Sequence, residues 1–260
     1  MTQEQMRIVP GRIQLESKSL EVCQWRQAEA RQTIVLLHEA LGSVSYWKDF
    51  PARLAASTRC NVIAYARAGH GDSDGPLEPR SASYYQRQID TVLPRLLEQF
   101  GLCEPVLYGH SEGAMIAFLY AAAGNPLKAI IAEAPIVIGE KKALRVVDEM
   151  ERGDAYVELI QKLSRYHRDA PAVFASWVEA VRLHLASEFP PTDYLTRVSC
   201  PVLAIQGEHD PYAGPAQGQA LEAGLSSLTR VVLPQAGHLP HREQTDAVLE
   251  AVASFLGTCC

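Results

Sequence analysis

The sequence predicts an α/β fold: a mostly parallel sheet with helices on both faces and a helical insertion. Three observations predict it. Short apolar runs rich in β-branched residues recur through the first half, each followed by a stretch with apolar residues at helical spacing. From about residue 136 to residue 197 the strands stop, and charge-dense helical stretches such as GEKKALRVVDEMERGD take over. The strand pattern then resumes and runs to the end. The expected organisation is one domain over 1–260, with a core from 1–135 and 198–260 and a helical cap from 136–197.

Each element follows from its own pattern. RIQLES and LEVCQWR, joined by a polar Lys-Ser pair, predict an antiparallel hairpin. TIVLLH (33–38) and NVIAYA (61–66) are continuous apolar runs, as expected of strands buried on both faces, with YWKDFPARLAAS a helix between them. A loop rich in Gly, Asp and Pro, RAGHGDSDGPLEPR, precedes the helical SYYQRQIDTVLPRLLEQFG, where Gly101 is the expected stop. PVLYG (105–109) and LKAIIAEA (127–134) are further strands around the helix SEGAMIAFLYAAAG. In the insertion, FASWVEAVRLHLASEF is an amphipathic helix. PVLAIQGEHD (201–210) and TRVVLPQAGH (229–238) return to strands, and HREQTDAVLEAVASFL closes the chain as a helix. No internal repeat or low-complexity segment is present.

Composition narrows the function. The chain is 47% hydrophobic and 21% charged, enough to bury a sizeable core. A formal net charge of −6 with no basic stretch argues against nucleic acid as a partner. No apolar run is long enough to cross a bilayer, and MTQEQMRIVPGR lacks the hydrophobic core of an export signal, so the cytoplasm is the expected location. Cys23, Cys60, Cys103, Cys200, Cys259 and Cys260 lack metal-ligand spacing and read as reduced thiols, with the terminal pair exposed.

The chemistry centres on LYGHSEGAMIA, a strand, a Gly-x-Ser-x-Gly turn and a helix. Glycines at 109 and 113 clear space for a sharp turn that lifts the Ser111 hydroxyl off the sheet. The helix behind it directs amides and a positive dipole end at whatever forms on that oxygen. A serine needs a base, and the base an orienter. Asp210, in the loop after one late strand, and His238, after the next, are the candidates. Glu208 and His241 are the respective rivals. His241 reads as a residue opening the last helix, while His209, His167, His184 and His110 read as structural or surface residues. Donors for a developing oxyanion are expected from the backbone amides of Glu112 and Ala40, the latter in the turn HEALGSVSYW. Phe174, Trp177, Val181 and Leu185 share a helical face, and Trp177 is the residue expected at the pocket.

HEALGS, RAGHGDSD, GHSEG and GHLPHR, in that order, resemble the motifs of the α/β-hydrolase superfamily over nearly the whole chain. The resemblance implies a serine hydrolase of carboxylic esters, thioesters or lactones, working through an acyl-enzyme on a small molecule, with no cofactor and no metal. The same fold and triad also serve C–C bond hydrolases of ring-cleavage products, and a non-catalytic ligand-binding protein is a third reading. One departure concerns the site: most relatives carry Gly where this chain has Glu39. Glu39 and Glu112 place carboxylates beside the expected oxyanion donors. Such a side chain either turns into a hydrogen-bonded niche or meets a positive group on the substrate. The resemblance to amino-acid-ester hydrolases of the valacyclovirase type implies the second use for Glu112.

Overall fold

The computed structural model describes residues 6–187 and 192–259; Cys260 and positions 188–191 of the inserted segment lie outside the described residues. Eight strands form one sheet in the order β1-β2-β4-β3-β5-β6-β7-β8. They are β1 (Arg7–Leu15), β2 (Lys18–Arg26), β3 (Thr33–Leu37), β4 (Asn61–Tyr65), β5 (Val106–His110), β6 (Ala129–Glu133), β7 (Val202–Gly207) and β8 (Leu228–Leu233). β2 runs antiparallel to both its neighbours, and all pairings from β4 to β8 are parallel.

The central strands are apolar on both faces because both faces are covered. Side chains alternate across a strand, so Val35, Leu37, Leu107, Ile130 and Ala132 join one core. Ile34, Leu36, Tyr108, Ile131 and Leu203 join the other. The first core is closed by α2 (Ala82–Arg87), α3 (Leu93–Gln99), α4 (Glu112–Ala122) and α8 (Pro215–Gly224). The second is closed by α1 (Phe50–Thr58) and α10 (Thr245–Cys259), the latter entered through the short α9 (Pro240–Glu243).

The hairpin is longer than the sequence pattern suggests. β1 begins at Arg7 and carries Pro10 and Gly11, residues that ordinarily end a strand. β1 is an edge strand, where an absent amide proton costs no ladder bond. The helix read as one piece over 83–101 is divided: Gln88–Val92 is a π turn between α2 and α3. Pro94 has no N–H for the carbonyl of Asp90, and the widened turn spares its ring the clash with that carbonyl. α8 carries too weak an apolar repeat to have been read from the sequence.

The segment between β6 and β7 forms α5 (Lys141–Met150), α6 (Gly153–Leu163) and α7 (Ala170–Ser187). These helices share a small core of their own, Val147, Leu163, Val173, Phe174 and Val178, which closes against Leu41. No helix among the described residues is long and apolar enough to cross a membrane.

Leu93 is wholly buried between helix and sheet, whereas Val157 on α6 is half exposed. Leu93→Ala is expected to lower the unfolding free energy by ~2–5 kcal/mol in a urea titration. Val157→Ala is expected to change it by less than ~0.5 kcal/mol.

Candidate active site

The turn from β5 into α4 holds Ser111 at φ 53° and ψ −111°. That conformation costs a non-glycine residue on the order of 1–3 kcal/mol and persists only where the surroundings impose it. They do so by close approach. A Cβ on Gly109 would stand 2.4 Å from the Ala114 nitrogen, and one on Gly113 would stand 1.9 Å from the Leu37 carbonyl oxygen. The turn is pinned by the Ser111 amide, which donates to the Glu133 carbonyl at 2.9 Å. The first amides of α4 have no acceptor within the helix and lie beside the serine.

Asp210 follows β7 and is buried, while Glu208 is exposed and accepts from the Gln235 amide. Asp210 Oδ1 accepts from the amides of Tyr212 and Ala213. Its Oδ2 accepts from Gln206 Nε2 and lies 2.7 Å from His238 Nδ1. The Nδ1–H therefore donates to Asp210 and leaves Nε2 as the ring's lone-pair nitrogen. Burial disfavours the charged ring, but the hydrogen bond and charge of Asp210 outweigh it, so the His238 pKa is raised above the ordinary imidazole value. Burial likewise opposes the Asp210 carboxylate, and the His238 contact more than offsets this, holding its pKa below the usual range.

Ser111, His238, Glu39, Ala40 and Glu112 line one cavity of about 100 Å³. No hydrogen bond joins Ser111 to His238 in this structure, and such contacts are often long before a substrate is bound. Trp177, Val181, Ala180 and His184 of α7 line the same cavity, with Tyr85, Met115 and Tyr212. Val181, which shares a helical face with Trp177, thus reaches the cavity, and so does His184. Phe174 lies in the small core of the inserted helices, and its ring is 5.8 Å from that of Trp177.

Two buried arginines fix the turn after β3. Arg67 donates to the carbonyls of His38 and Glu39 at 2.7 and 2.8 Å, and Arg80 to that of Ala40 at 2.9 Å. Because a peptide is planar and trans, a Glu39 carbonyl turned to Arg67 sends the Ala40 amide the opposite way. Both arginines also pair with the Glu112 carboxylate, Arg67 at 2.6 Å and Arg80 at 2.7 Å, and the Tyr85 hydroxyl donates to it at 2.8 Å. Burial favours the neutral acid, but the two arginines hold the Glu112 pKa below the usual range. Of the two uses of Glu112 considered from the sequence, the structure shows the hydrogen-bonded niche. Its carboxylate is fully engaged and is not a site for a substrate cation.

A sequence model of the Alpha/beta hydrolase family matches residues 34–251. The chain belongs to this family. The 3-oxoadipate enol-lactonase 2 of Acinetobacter baylyi is 27% identical over 254 residues, covering 88% of this chain and 90% of the relative. Among solved structures, a 2-hydroxy-6-oxo-6-phenylhexa-2,4-dienoate hydrolase from Rhodococcus superposes with a TM-score of 0.80 at 17% identity, over 97% and 99% of the two chains. The enol-lactonase from Burkholderia xenovorans superposes with a TM-score of 0.76 at 20% identity, over 95% and 100%. These structures share the fold. The chain is a hydrolase of the alpha/beta type.

Four other histidines of this hydrolase lie outside the lining of the cavity that holds Ser111. His241 is buried against Glu133, taking both carboxylate oxygens through Nδ1 and one through its amide, rather than decorating a helix start. His110 donates to the His238 carbonyl at 2.7 Å, and His167 spans the Gly71 amide and the Leu41 carbonyl. His209 is exposed. Donor atoms of His110, Glu133 and His241 lie within 4.8 Å of one another. Hydrogen bonds to His238, His241 and Tyr108 already engage them.

Sequence reasoning missed Arg67, Arg80, Tyr85 and Glu133. An acid closing a buried strand, as Glu133 does in IIAEA, is the one local signal that could have been found. Glu112→Ala would leave two buried arginines without their carboxylate, so a loss of about 3–5 kcal/mol is expected in chemical denaturation. Glu222→Ala removes an exposed partner of Arg230 and should cost no more than about 1 kcal/mol.

Proposed function

We propose that this chain hydrolyses a carboxylic ester or lactone of a small molecule through a Ser111 acyl-enzyme. His238 acts as general base and acid, Asp210 orients it, and the amides of Ala40 and Glu112 hold the oxyanion. The observation that carries the reading is one cavity in which a strained Ser111, the Asp210-bound His238 and the two turns that carry those amides meet. The relative named as an enol-lactonase supports the ester and lactone class.

In the reaction, His238 Nε2 takes the Ser111 proton as Oγ attacks the carbonyl carbon. The tetrahedral oxyanion is met by the Ala40 and Glu112 amides at the positive end of α4; one such donor is worth on the order of 10²–10³-fold in rate. The tetrahedral species collapses, and the alcohol leaves with the proton from His238. Water, deprotonated by the same nitrogen, attacks the acyl carbon and frees Ser111. The proposed relay uses side chains and backbone amides throughout and calls on no cofactor or metal. A cavity of about 100 Å³ is smaller than the ~150 Å³ that accepts a benzene ring, which supports a short acyl group.

A fluorophosphonate probe is expected to label the peptide bearing GHSEG, as read by mass spectrometry, and Ser111→Ala to remove both labelling and activity. Labelling at another residue would sink the mechanism. Across unbranched ethyl esters, kcat/KM should peak at two to four acyl carbons, roughly the span of such a cavity, and fall beyond; a monotonic rise with chain length contradicts the small pocket.

The pH profile has a definite sign. The base must be neutral, and Asp210 raises the His238 pKa. Activity should therefore fall on acidification through an apparent pKa above that of an ordinary imidazole. Asp210→Asn should move this limb to lower pH while reducing kcat by ~10⁴-fold. An unmoved limb would assign the titration to another group.

A further inference from the structure

Among the described residues four carboxylates are buried: Glu39, Glu112, Glu133 and Asp210. Three have cationic or imidazole partners, Glu112 in the arginines, Glu133 in His241 and Asp210 in His238. Glu39 stands apart. It is 9% exposed and lines the cavity with Ser111 and His238. Among the described residues no Lys, Arg or His nitrogen comes within 4.0 Å of its carboxylate, and no hydrogen-bond donor reaches it. Its interactions with His238, Arg242 and His241 act only at longer range, and burial, the larger influence, pushes its pKa up. Arg242 is committed elsewhere, donating to the Tyr46 carbonyl with its guanidinium 3.8 Å over the Tyr46 ring.

The wall around Glu39 suits a cation. Among the described residues no Lys or Arg lines the cavity, whereas the aromatic side chains of Tyr85, Trp177 and Tyr212 do. The Trp177 and Tyr212 rings are 5.8 Å apart, and Tyr212 stacks edgewise 4.6 Å from His238. Aromatic faces attract an ammonium group, most strongly where water is excluded. A carboxylate next to the Ala40 amide also opposes an oxyanion forming there. A positive group on the substrate cancels that opposition and gives the buried acid its missing partner.

We propose that Glu39 is a specificity-determining residue that binds an ammonium group carried by the acyl part of the substrate, within a few bonds of the scissile carbonyl. This makes amino-bearing esters and lactones the preferred class, and the proposal rests on the serine-hydrolase reading of the same cavity. Ammonium nitrogen donates to the Glu39 carboxylate, and the adjoining methylenes lie against Tyr212 and Trp177. Ser111 then attacks the carbonyl as for any ester.

The test is kcat/KM at pH 7 for alanine ethyl ester, ethyl propanoate and monoethyl succinate, with wild type, Glu39→Gln and Glu39→Asp. In wild type the alanine ester should exceed the propanoate by at least about tenfold, the step set by one charge-assisted contact, with the succinate slowest. Glu39→Gln should bring the alanine-to-propanoate ratio to within about threefold, and Glu39→Asp, which keeps the charge, should retain more of it than Gln does. Because a ratio is read, a general loss of activity does not enter. A wild-type ratio near one, a fastest succinate ester, or a ratio unmoved by Glu39→Gln overturns the proposal. Calorimetry on Ser111→Ala gives a readout independent of turnover. Alaninamide should bind and propanamide should not, and adding Glu39→Gln should abolish the difference. That difference in binding, with no ester cleaved by wild type, would overturn the hydrolase reading and sustain this one. Cleavage of ethyl propanoate without it would do the reverse.

Discussion

The geometry of the site depends on one buried charge network, Arg67 and Arg80 closed on Glu112. Taking three charges out of water is expensive, and their mutual attraction offsets that cost only where further hydrogen bonds take up remaining donors; Arg67 Nε alone of that side chain is buried without an acceptor. The acceptors here are the consecutive carbonyls of His38, Glu39 and Ala40. The arginines thus impose the orientation of the turn after β3, and the turn in exchange supplies the oxygens that make burial of the arginines tolerable. Glu112 is also the first residue of α4, so the same network ties that turn to the residue next to the proposed nucleophile. His38 completes the fixing: its Nε2 accepts from the Arg67 amide, which places the ring proton on Nδ1 against the Glu39 carbonyl.

From this centre the network extends into the inserted helices. Arg80 also donates to Ser176 of α7, and His167, just before α7, joins Gly71 to Leu41. At the far side Lys142 of α5 donates to the carbonyls of Asp210 and Ala213, while Gln217 of α8 holds the amides of Val137 and Ile138 where the insertion begins. The inserted helices are therefore bonded to the loops that carry the proposed oxyanion donor and the proposed orienting acid. Their position and the shape of the cavity are set together, which makes the described arrangement a tethered one at α5 and α7.

What the sequence disclosed and what it withheld divide along the range of the interactions. The central strands were legible because burial on both faces leaves a continuous apolar run. Ser111, Asp210 and His238 were legible because each sits in a local pattern, a glycine-flanked turn or the loop directly after a buried strand. The two fates of Glu112 could not be separated, since its partners come from distant turns and Arg67 lies 45 residues away. Arg67 opens the RAGHGDSD motif, but the motif does not say which carboxylate and carbonyls the fold will carry it to. Pro10 and Gly11 hid the start of β1 because the sequence does not say which strand lies at an edge. Pro94 likewise gave no sign that a helix would widen before it rather than stop.

Two histidines, His238 in the loop after β8 and His241 three residues on in α9, carry carboxylate partners, and the contrast between them shows why only the first is proposed as a base. His238 Nδ1 lies 2.7 Å from Asp210, and His241 Nδ1 lies 2.9 Å from Glu133. By hydrogen bonding alone they are equivalent. His241, however, is packed among Trp47, Phe50 and His110, and its Nε2 is buried without a partner, outside the cavity that holds Ser111. His238 lines that cavity. The difference is access to the reacting atoms. The inner pair has a mechanical effect instead, because Glu133 accepts the Ser111 amide on its backbone oxygen and holds His241 with its side chain. One residue at the end of β6 thereby couples the strained turn to the histidine loop, and His110 repeats the coupling by donating to the His238 carbonyl. A serine kept at unfavourable backbone angles needs such restraint from both sides, and the second histidine–carboxylate pair supplies it where solvent and substrate do not reach.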